Sequence, residues 1–327
     1  MFDLNHFFKE SNFYPVECLV FVSLPKPKMA CVLERSVALG LSNAFKSNLR
    51  IFNAPMYKGQ AHRGVDKAAS ILLKDYKLVD RLYNTGGFNE VTIHNSPEPE
   101  KTLVHDILKN ADDKSDMVLS LGGDHLMSFY SITAQLIRAG PGNLGVVWCD
   151  AHVDINTKKT SVTGNMHGMV VAGLMGLESF WGERVSDKYK LRPENIVYVG
   201  TRDIDPPEQK FLDTYGIKYY TSDQIKNWGV NRIMHQALYK DLAHVPFLHL
   251  SHDVDVMDPS VFPCTGTAVS NGLSMEESVL VNTWMGNDSR LWSMHLVEYN
   301  PVFGTDQNSI DRCSKICMNS IMRTFTI

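Results

Sequence analysis

Three short segments concentrate side chains able to hold a divalent metal ion: Gly-Gly-Asp-His at 122–125, Asp-Ala-His-Val-Asp at 150–154 and Asp-Val-Asp at 253–255. In the second, Asp150, His152 and Asp154 alternate with Ala151 and Val153, so an extended backbone would send the three polar groups to one face. Crowded together, two carboxylates and an imidazole repel and desolvate one another unless a cation neutralises them. Alone, an Asp-x-Asp is common, and a His after two glycines is as often a structural hydrogen-bonder as a ligand. Together the segments supply the carboxylates of Asp150, Asp154, Asp253 and Asp255 and the imidazoles of His125 and His152, enough for two ions if some carboxylates bridge. So oxygen-rich a set suits manganese better than zinc, which prefers more nitrogen or sulfur and fewer ligands. Two ions roughly 3.5–4 Å apart can share a water and lower its pKa toward neutrality, generating a hydroxide nucleophile. The chemistry implied is metal-activated hydrolysis.

Each segment follows an apolar run of strand length: MVLSL (117–121), LGVVWC (144–149) and FLHL (247–250). Similar runs occur at CLVFVS (18–23), NIVYVG (195–200), IKYY (217–220) and LWSMHLV (291–297). Between most of them lie stretches with helical spacing, among them Val65 to Leu73, Leu126 to Arg138, Val230 to Leu242, Met275 to Met285 and Ser309 to Phe325. This alternation predicts an α/β fold with a central, mostly parallel sheet buried by helices on both faces. Functional groups in such sheets gather at the carboxyl ends of the strands, where the three segments fall. With no internal repeat and no long linker, residues 51–327 read as one body, and residues 1–50 as an N-terminal segment packed on it, without an assigned role. Asp258, before Pro259, reads as a turn residue.

A net charge of −4 and scattered Lys and Arg give no basic stripe, which argues against nucleic acid as a partner. The opening MFDLNHFFKE does not read as a secretory signal, and the longest apolar run, Met169 to Leu177, is too short to span a bilayer. The expectation is a soluble, cytoplasmic protein with no membrane partner. Six widely spread cysteines without a Cys-x-x-Cys pair argue against a disulfide framework. Cys313 and Cys317, one helical turn apart, are expected to be buried or half-buried.

The three segments, in this order, resemble the arginase branch of the ureohydrolase family. Further matches are TGNMHG (163–168), TRDIDPPE (201–208), DPSVFPCTGTAVSNGLS (258–274) and VEYNP (297–301), so the resemblance runs from about Tyr57 to the C-terminus. It implies a three-layer α/β/α arginase-type fold and two manganese ions. His125, Asp150, Asp154 and Asp253 would hold one ion and Asp150, His152, Asp253 and Asp255 the other, with Asp150 and Asp253 bridging. Asp154 would also orient the bridging hydroxide. By the same resemblance Glu298 orients a guanidinium, Asn156, Thr163 and Asn165 receive an α-carboxylate, Asp205 receives an α-ammonium, and His167 protonates the leaving amine. The implied reaction converts L-arginine and water to L-ornithine and urea. The implied assembly is a homotrimer or a dimer of trimers, with Ser309 to Phe325 and residues 1–50 as candidate interface elements.

The chain departs from the family pattern near the site. Leu126 stands where Ser is common, His252 where an aromatic is expected, and Thr163 for Ser; TAVSNG lacks a Pro and one Gly; Lys67, Ala68 and Ala69 replace an acid, Gly and Pro. Two other functions stay open: a metal-binding relative with little catalysis and a regulatory or structural role, and another ureohydrolase such as an agmatinase. Agmatine would leave Asn156, Thr163 and Asn165 with nothing to bind. A deacetylase on the related fold needs only one metal, and the full second ligand set argues against it.

Overall fold

The computed structural model describes residues 47–111 and 114–326. The strand-like run at 18–23, Cys18, Cys31 and nearly all of the 1–50 segment lie outside the described residues. The sheet comprises β1 (Leu49–Ala54), β2 (Val91–Asn95), β3 (Met117–Gly122), β4 (Leu144–Cys149), β5 (Ile196–Thr201), β6 (Lys218–Thr221), β7 (Phe247–Asp253) and β8 (Leu291–Val297). Its order is β2-β1-β3-β8-β7-β4-β5-β6, and every pairing is parallel rather than mostly so. The apolar runs anticipate β3 to β8. Neither β1 nor β2 carries such a run, since Arg50 and Asn53 interrupt β1 and polar Thr92, His94 and Asn95 interrupt the edge strand β2.

 In β2 no residue is fully buried: Val91, Thr92 and His94 are half-buried, and Ile93 and Asn95 are exposed. By contrast every residue of β4, β7 and β8 is buried, as central strands covered on both faces require.

The helices are α1 (Leu78–Asn84), α2 (Pro99–Asn110), α3 (Met127–Ala139), α4 (Val170–Leu174), α5 (Pro206–Tyr215), α6 (Ser222–Trp228), α7 (Val230–Gln236), α8 (Met275–Asn287) and α9 (Gln307–Phe325). The helix expected over Val65 to Leu73 is a composite, a 3₁₀ turn at Val65–Lys67, an α turn at Ala68–Ser70 and a π turn at Ile71–Asp75. Likewise α7 widens into a π turn at Ala237–Asp241. Alternate strand residues feed two apolar cores: Ile51, Leu119, Leu250 and Met294 join α7, α8 and α9 on one side, while Phe52, Val118, Trp148 and Trp292 join α2, α3 and α4 on the other. The result is the three-layer arrangement. Asp306 caps α9 by accepting from Ser309 N at 2.7 Å, and the helix buries Cys313 and Cys317 as its spacing predicts. Cys149, Cys264, Cys313 and Cys317 are free thiols. Among the described residues no helix is long and apolar enough to cross a membrane.

The strand order puts β3, β8, β7 and β4 side by side in the middle of the sheet. Their carboxyl ends carry, in turn, His125, Glu298, the 253–255 pair and the 150–154 segment.

Candidate active site

The turn after β3 is shaped by Gly123, where a Cβ would lie 1.6 Å from the Met56 carbonyl oxygen, so no other residue fits. Asp124 N donates to that oxygen at 2.9 Å. The buried Asp124 carboxylate accepts from Gly59 N at 2.7 Å and Leu126 N at 3.1 Å, which fixes the turn and presents His125 to the sheet edge.

The 150–154 segment differs from the expected extended strand. β4 ends at Cys149, and Asp154 adopts a left-handed backbone with φ +48°. The three polar groups still converge, because a turn rather than a pleat aims them. One oxygen of several carboxylates is tied to the backbone: His152 N donates to Asp150 Oδ1 at 2.7 Å, Asp255 N to Asp253 Oδ1 at 2.8 Å and Ala151 N to Asp255 Oδ1 at 3.2 Å. Trp148 Nε1 donates to Asp150 Oδ2 at 2.9 Å and its ring stacks on His125, with centroids 4.4 Å apart.

The remaining oxygens close on two imidazoles. His125 Nδ1 lies 2.9 Å from Asp253 Oδ2 and 3.1 Å from both Asp150 Oδ2 and Asp154 Oδ2. His152 Nδ1 lies 3.1 Å from Asp255 Oδ2 and 3.4 Å from Asp150 Oδ1. Two groups therefore have the closeness a metal ion needs, His125 with Asp150 and Asp253, and His152 with Asp150 and Asp255. Asp150 belongs to both; Asp253 belongs to the first alone.

A cation fits this set better than protons do. His125 Nδ1 is buried with no well-aligned hydrogen bond although three carboxylates surround it, and a single imidazole proton there could serve only one of the three. Burial and the charges of Asp255 and Asp150 push the Asp253 carboxyl well above its usual range, and burial with Asp150 also raises Asp154 and Asp255. Burial would raise Asp150 too, but hydrogen bonds from both imidazoles hold it far below. Such opposed shifts mark a cluster with more negative charge than its own imidazoles can offset.

Beside this floor, Glu298 also takes a left-handed backbone, φ +65°, at a cost of about 1–3 kcal/mol that its surroundings must offset. Its Oε1 accepts from His125 N at 2.7 Å and faces His167 Nδ1 at 3.0 Å, while Oε2 accepts from Gln60 Nε2 at 2.6 Å. Burial alone would lower the His167 pKa; the Glu298 charge and hydrogen bond, with Asp154 and Asp124, raise it instead to about 9.

A cleft of about 370 Å³ opens above the floor, lined by His125, His152, Asp154, Asp253 and Asp255 below and by Asn156, Thr163, Asn165, His167 and Asp205 above. Glu298 is not on its wall, being covered by Gln60 and His167. At the rim Asn156 Nδ2 donates to Asp205 Oδ2 at 3.0 Å and Asn156 Oδ1 accepts from Thr160 Oγ1 at 2.8 Å. Thr163 Oγ1 accepts from Asn165 N at 3.2 Å.

Known proteins resemble this chain over most of its length. The model of the Arginase family matches residues 47–323. The chain belongs to the arginase family. Arginase, non-hepatic 2 of Xenopus laevis is 30% identical over 328 aligned residues, which cover 90% of this chain and 88% of that protein. Among solved structures, arginase from Bacillus subtilis superposes with a TM-score of 0.76 at 31% identity, covering 86% of this chain and 99% of that one. Entamoeba histolytica arginase, solved in complex with L-ornithine, gives 0.75 at 27% identity, over 86% and 98%. Members of the family are hydrolases of guanidino C–N bonds, and this chain is an arginase-like hydrolase.

Several departures from the arginase pattern fall away from the cleft. Ala68 and Ala69 are buried in the core and Lys67 is exposed outside the cleft wall. Leu126 is buried at the start of α3, and His252 is buried, in register with Cys149 and Leu296. Asn271 takes the left-handed conformation at φ +68°, and its backbone N and that of Gly272 donate to Asp258 Oδ2 at 2.8 and 3.2 Å, so the altered loop is closed by the turn residue Asp258. Other residues join the site without having been singled out. Gln60 holds Glu298, Thr267 Oγ1 donates to Asp255 Oδ2 at 3.0 Å, and the buried Glu208 accepts from Ile155 N and Asp205 N at 3.2 and 3.0 Å, its pKa pushed up to about 7 by burial. Glu208 had a readable signal, its place three residues after Asp205 in a capping box.

Proposed function

We propose that this protein hydrolyses L-arginine to L-ornithine and urea at a two-manganese site. The observation that carries the metal reading is the convergence of three carboxylate oxygens within 3.1 Å of His125 Nδ1, next to a second group that shares Asp150. His125, Asp150, Asp154 and Asp253 would hold one ion and Asp150, His152, Asp253 and Asp255 the other. When bound, such a pair lowers the pKa of a shared water toward neutrality.

The protein's own groups then have separable tasks. Asp154, its backbone fixed by the strained turn, orients the attacking oxygen. His167, kept protonated by Glu298, gives its proton to the departing amine nitrogen. Glu298 orients the guanidinium, for which Gln60 must yield or share Oε2. At the rim Asn156, Thr163 and Asn165 take the α-carboxylate and Asp205 the α-ammonium. Arginine is favoured over agmatine because agmatine offers this donor set no carboxylate, and a relative of this chain was solved with L-ornithine. Homotrimeric assembly, alone or as paired trimers, and residues 1–50 as a segment packed on the 51–327 body belong to the same proposal.

The test is urea release from L-arginine and from agmatine by the manganese-loaded full-length protein. A higher kcat/KM on arginine is expected, and faster agmatine turnover would overturn the substrate assignment. A metal-binding protein with little turnover is the second reading, favoured by the Gln60 amide on Glu298. Two bound manganese ions with no urea from either compound would establish it.

A further inference from the structure

Away from the cleft, three buried thiols gather between the 258–274 loop and α9. Cys264 lies in the loop, Cys313 and Cys317 lie one turn apart on the helix, and all three are free and belong to the same apolar core. Cys264 Sγ approaches the Ser309 carbonyl oxygen at 3.9 Å, one turn before Cys313 on α9. A helical side chain leans over the turn N-terminal to its own Cα, so Cys313 points back toward that same carbonyl. There Cys264 donates its S–H to the Cys313 sulfur, while Cys317, a turn further on, bears on Cys264 by charge.

The pair joins two segments that reach the active site. Three residues after Cys264, Thr267 Oγ1 donates to Asp255 Oδ2 at 3.0 Å. The Cys264 carbonyl accepts from Asn300 N at 2.8 Å, two residues after Glu298. The two thiols are also unequal. The bond from Cys264 and the Arg312 charge lower the Cys313 pKa against the effect of burial, whereas that bond and burial push the Cys264 thiol up. Cys313 is thus the thiol better able to attack as a thiolate, and Cys264 the one that follows.

We propose that Cys264 and Cys313 are a redox modification site, which hydrogen peroxide converts to a disulfide that pins the 258–274 loop to α9. The Cys313 thiolate attacks one peroxide oxygen and the O–O bond breaks, leaving a sulfenic acid on Cys313 and a hydroxide that takes up the proton Cys313 has lost. Cys264 then attacks the sulfenic sulfur, the S–O bond breaks, and water leaves with the Cys264 proton. Two electrons pass from the thiols to the peroxide, and two waters form. Because both sulfurs are covered, oxidation waits on local opening of the first turn of α9 and is slow. The inference stands apart from the two-metal reading and holds whether or not the protein turns over arginine.

The experiment is peptide mapping by mass spectrometry of the folded full-length protein after hydrogen peroxide and alkylation of the remaining thiols, for wild type, Cys264→Ser, Cys313→Ser and Cys317→Ser. A 264–313 linked peptide is expected in wild type and Cys317→Ser, absent from the other two and abolished by dithiothreitol. The oxidised wild type should also unfold at a higher denaturant midpoint than the reduced protein, because the link constrains the unfolded chain. A statistical mixture of pairs, a 313–317 link, or thiols left unlinked or oxidised only to sulfinic acid would overturn the site. A 264–313 link that lowers the midpoint would overturn the pinning. The pairing is read directly from wild type, so a serine variant that fails to fold leaves the test decisive.

Discussion

The floor and the rim of the cleft are built differently. On the floor, His125, Asp150, Asp253 and Asp255 are at most 2% exposed, and their outer atoms are held by backbone N–H groups, Trp148 and Ser251. At the rim, Thr163 and Asp205 are exposed and the polar groups largely hold one another, as Asn156 does with Asp205 and Thr160. Rigid placement of a crowded, costly charge cluster is what water activation requires. A solvated rim can exchange its partners for those of a ligand at little cost, which suits recognition.

The largest expected effect comes from breaking the floor. Asp253→Asn removes charge from a cluster that repels itself, so the metal-free variant should be at least as stable as wild type in denaturant titrations. Its kcat/KM for urea release should nonetheless fall by about a thousandfold, corresponding to ~4 kcal/mol of lost transition-state stabilisation. The stabilisation that manganese gives wild type by binding the folded state should shrink in parallel. A variant that loses stability without metal and keeps its activity would show the cluster to be structural.

A smaller effect is expected at the rim. Asn156→Ala removes the amide that holds Asp205, and should raise KM for L-arginine by about 10- to 100-fold while kcat changes little, because a contact made equally in ground and transition states is lost. Steady-state kinetics check this. A fall in kcat at constant KM would place Asn156 in the chemistry instead, and erase the division between floor and rim.

The same division governs what the sequence discloses. Asp150, His152 and Asp154, like Asp253 and Asp255, sit two apart at the end of apolar runs, so their convergence can be read locally. The left-handed turn at Asp154 cannot, because nothing in Val153-Asp154-Ile155 requires it until the neighbouring strands are in place. Gln60 escapes for another reason: its partner Glu298 is 238 residues away. The contact between Ser251 and His295 is also nonlocal, since LHLSHD and WSMHLV look like ordinary strands until β7 and β8 are paired. In the fold, the long buried strands are plain from their apolar runs, whereas β1 and β2 depend on their place at one side of the sheet.

The smallest expected effect lies just beneath the floor, where two histidines of β7 meet opposite fates. His249 has hydrogen-bond partners for both ring nitrogens, whereas both nitrogens of His252 are buried without one. An unsatisfied buried donor or acceptor costs about 1–3 kcal/mol, and burial pushes the His252 pKa down to about 4, so the ring stays neutral there. In register His252 lies beside Cys149 and Leu296, an apolar setting that suits the aromatic ring the family resemblance leads one to expect. His252→Phe should therefore raise the stability of the metal-free protein, with part of the gain offset by fitting a larger ring into a packed core, for a net of about 1 kcal/mol. Denaturant midpoints at constant m-value measure it. If the variant is less stable than wild type, His252 has a partner that matters, and polar burial beneath the floor is as fully satisfied as it is along His249, Ser251 and His295.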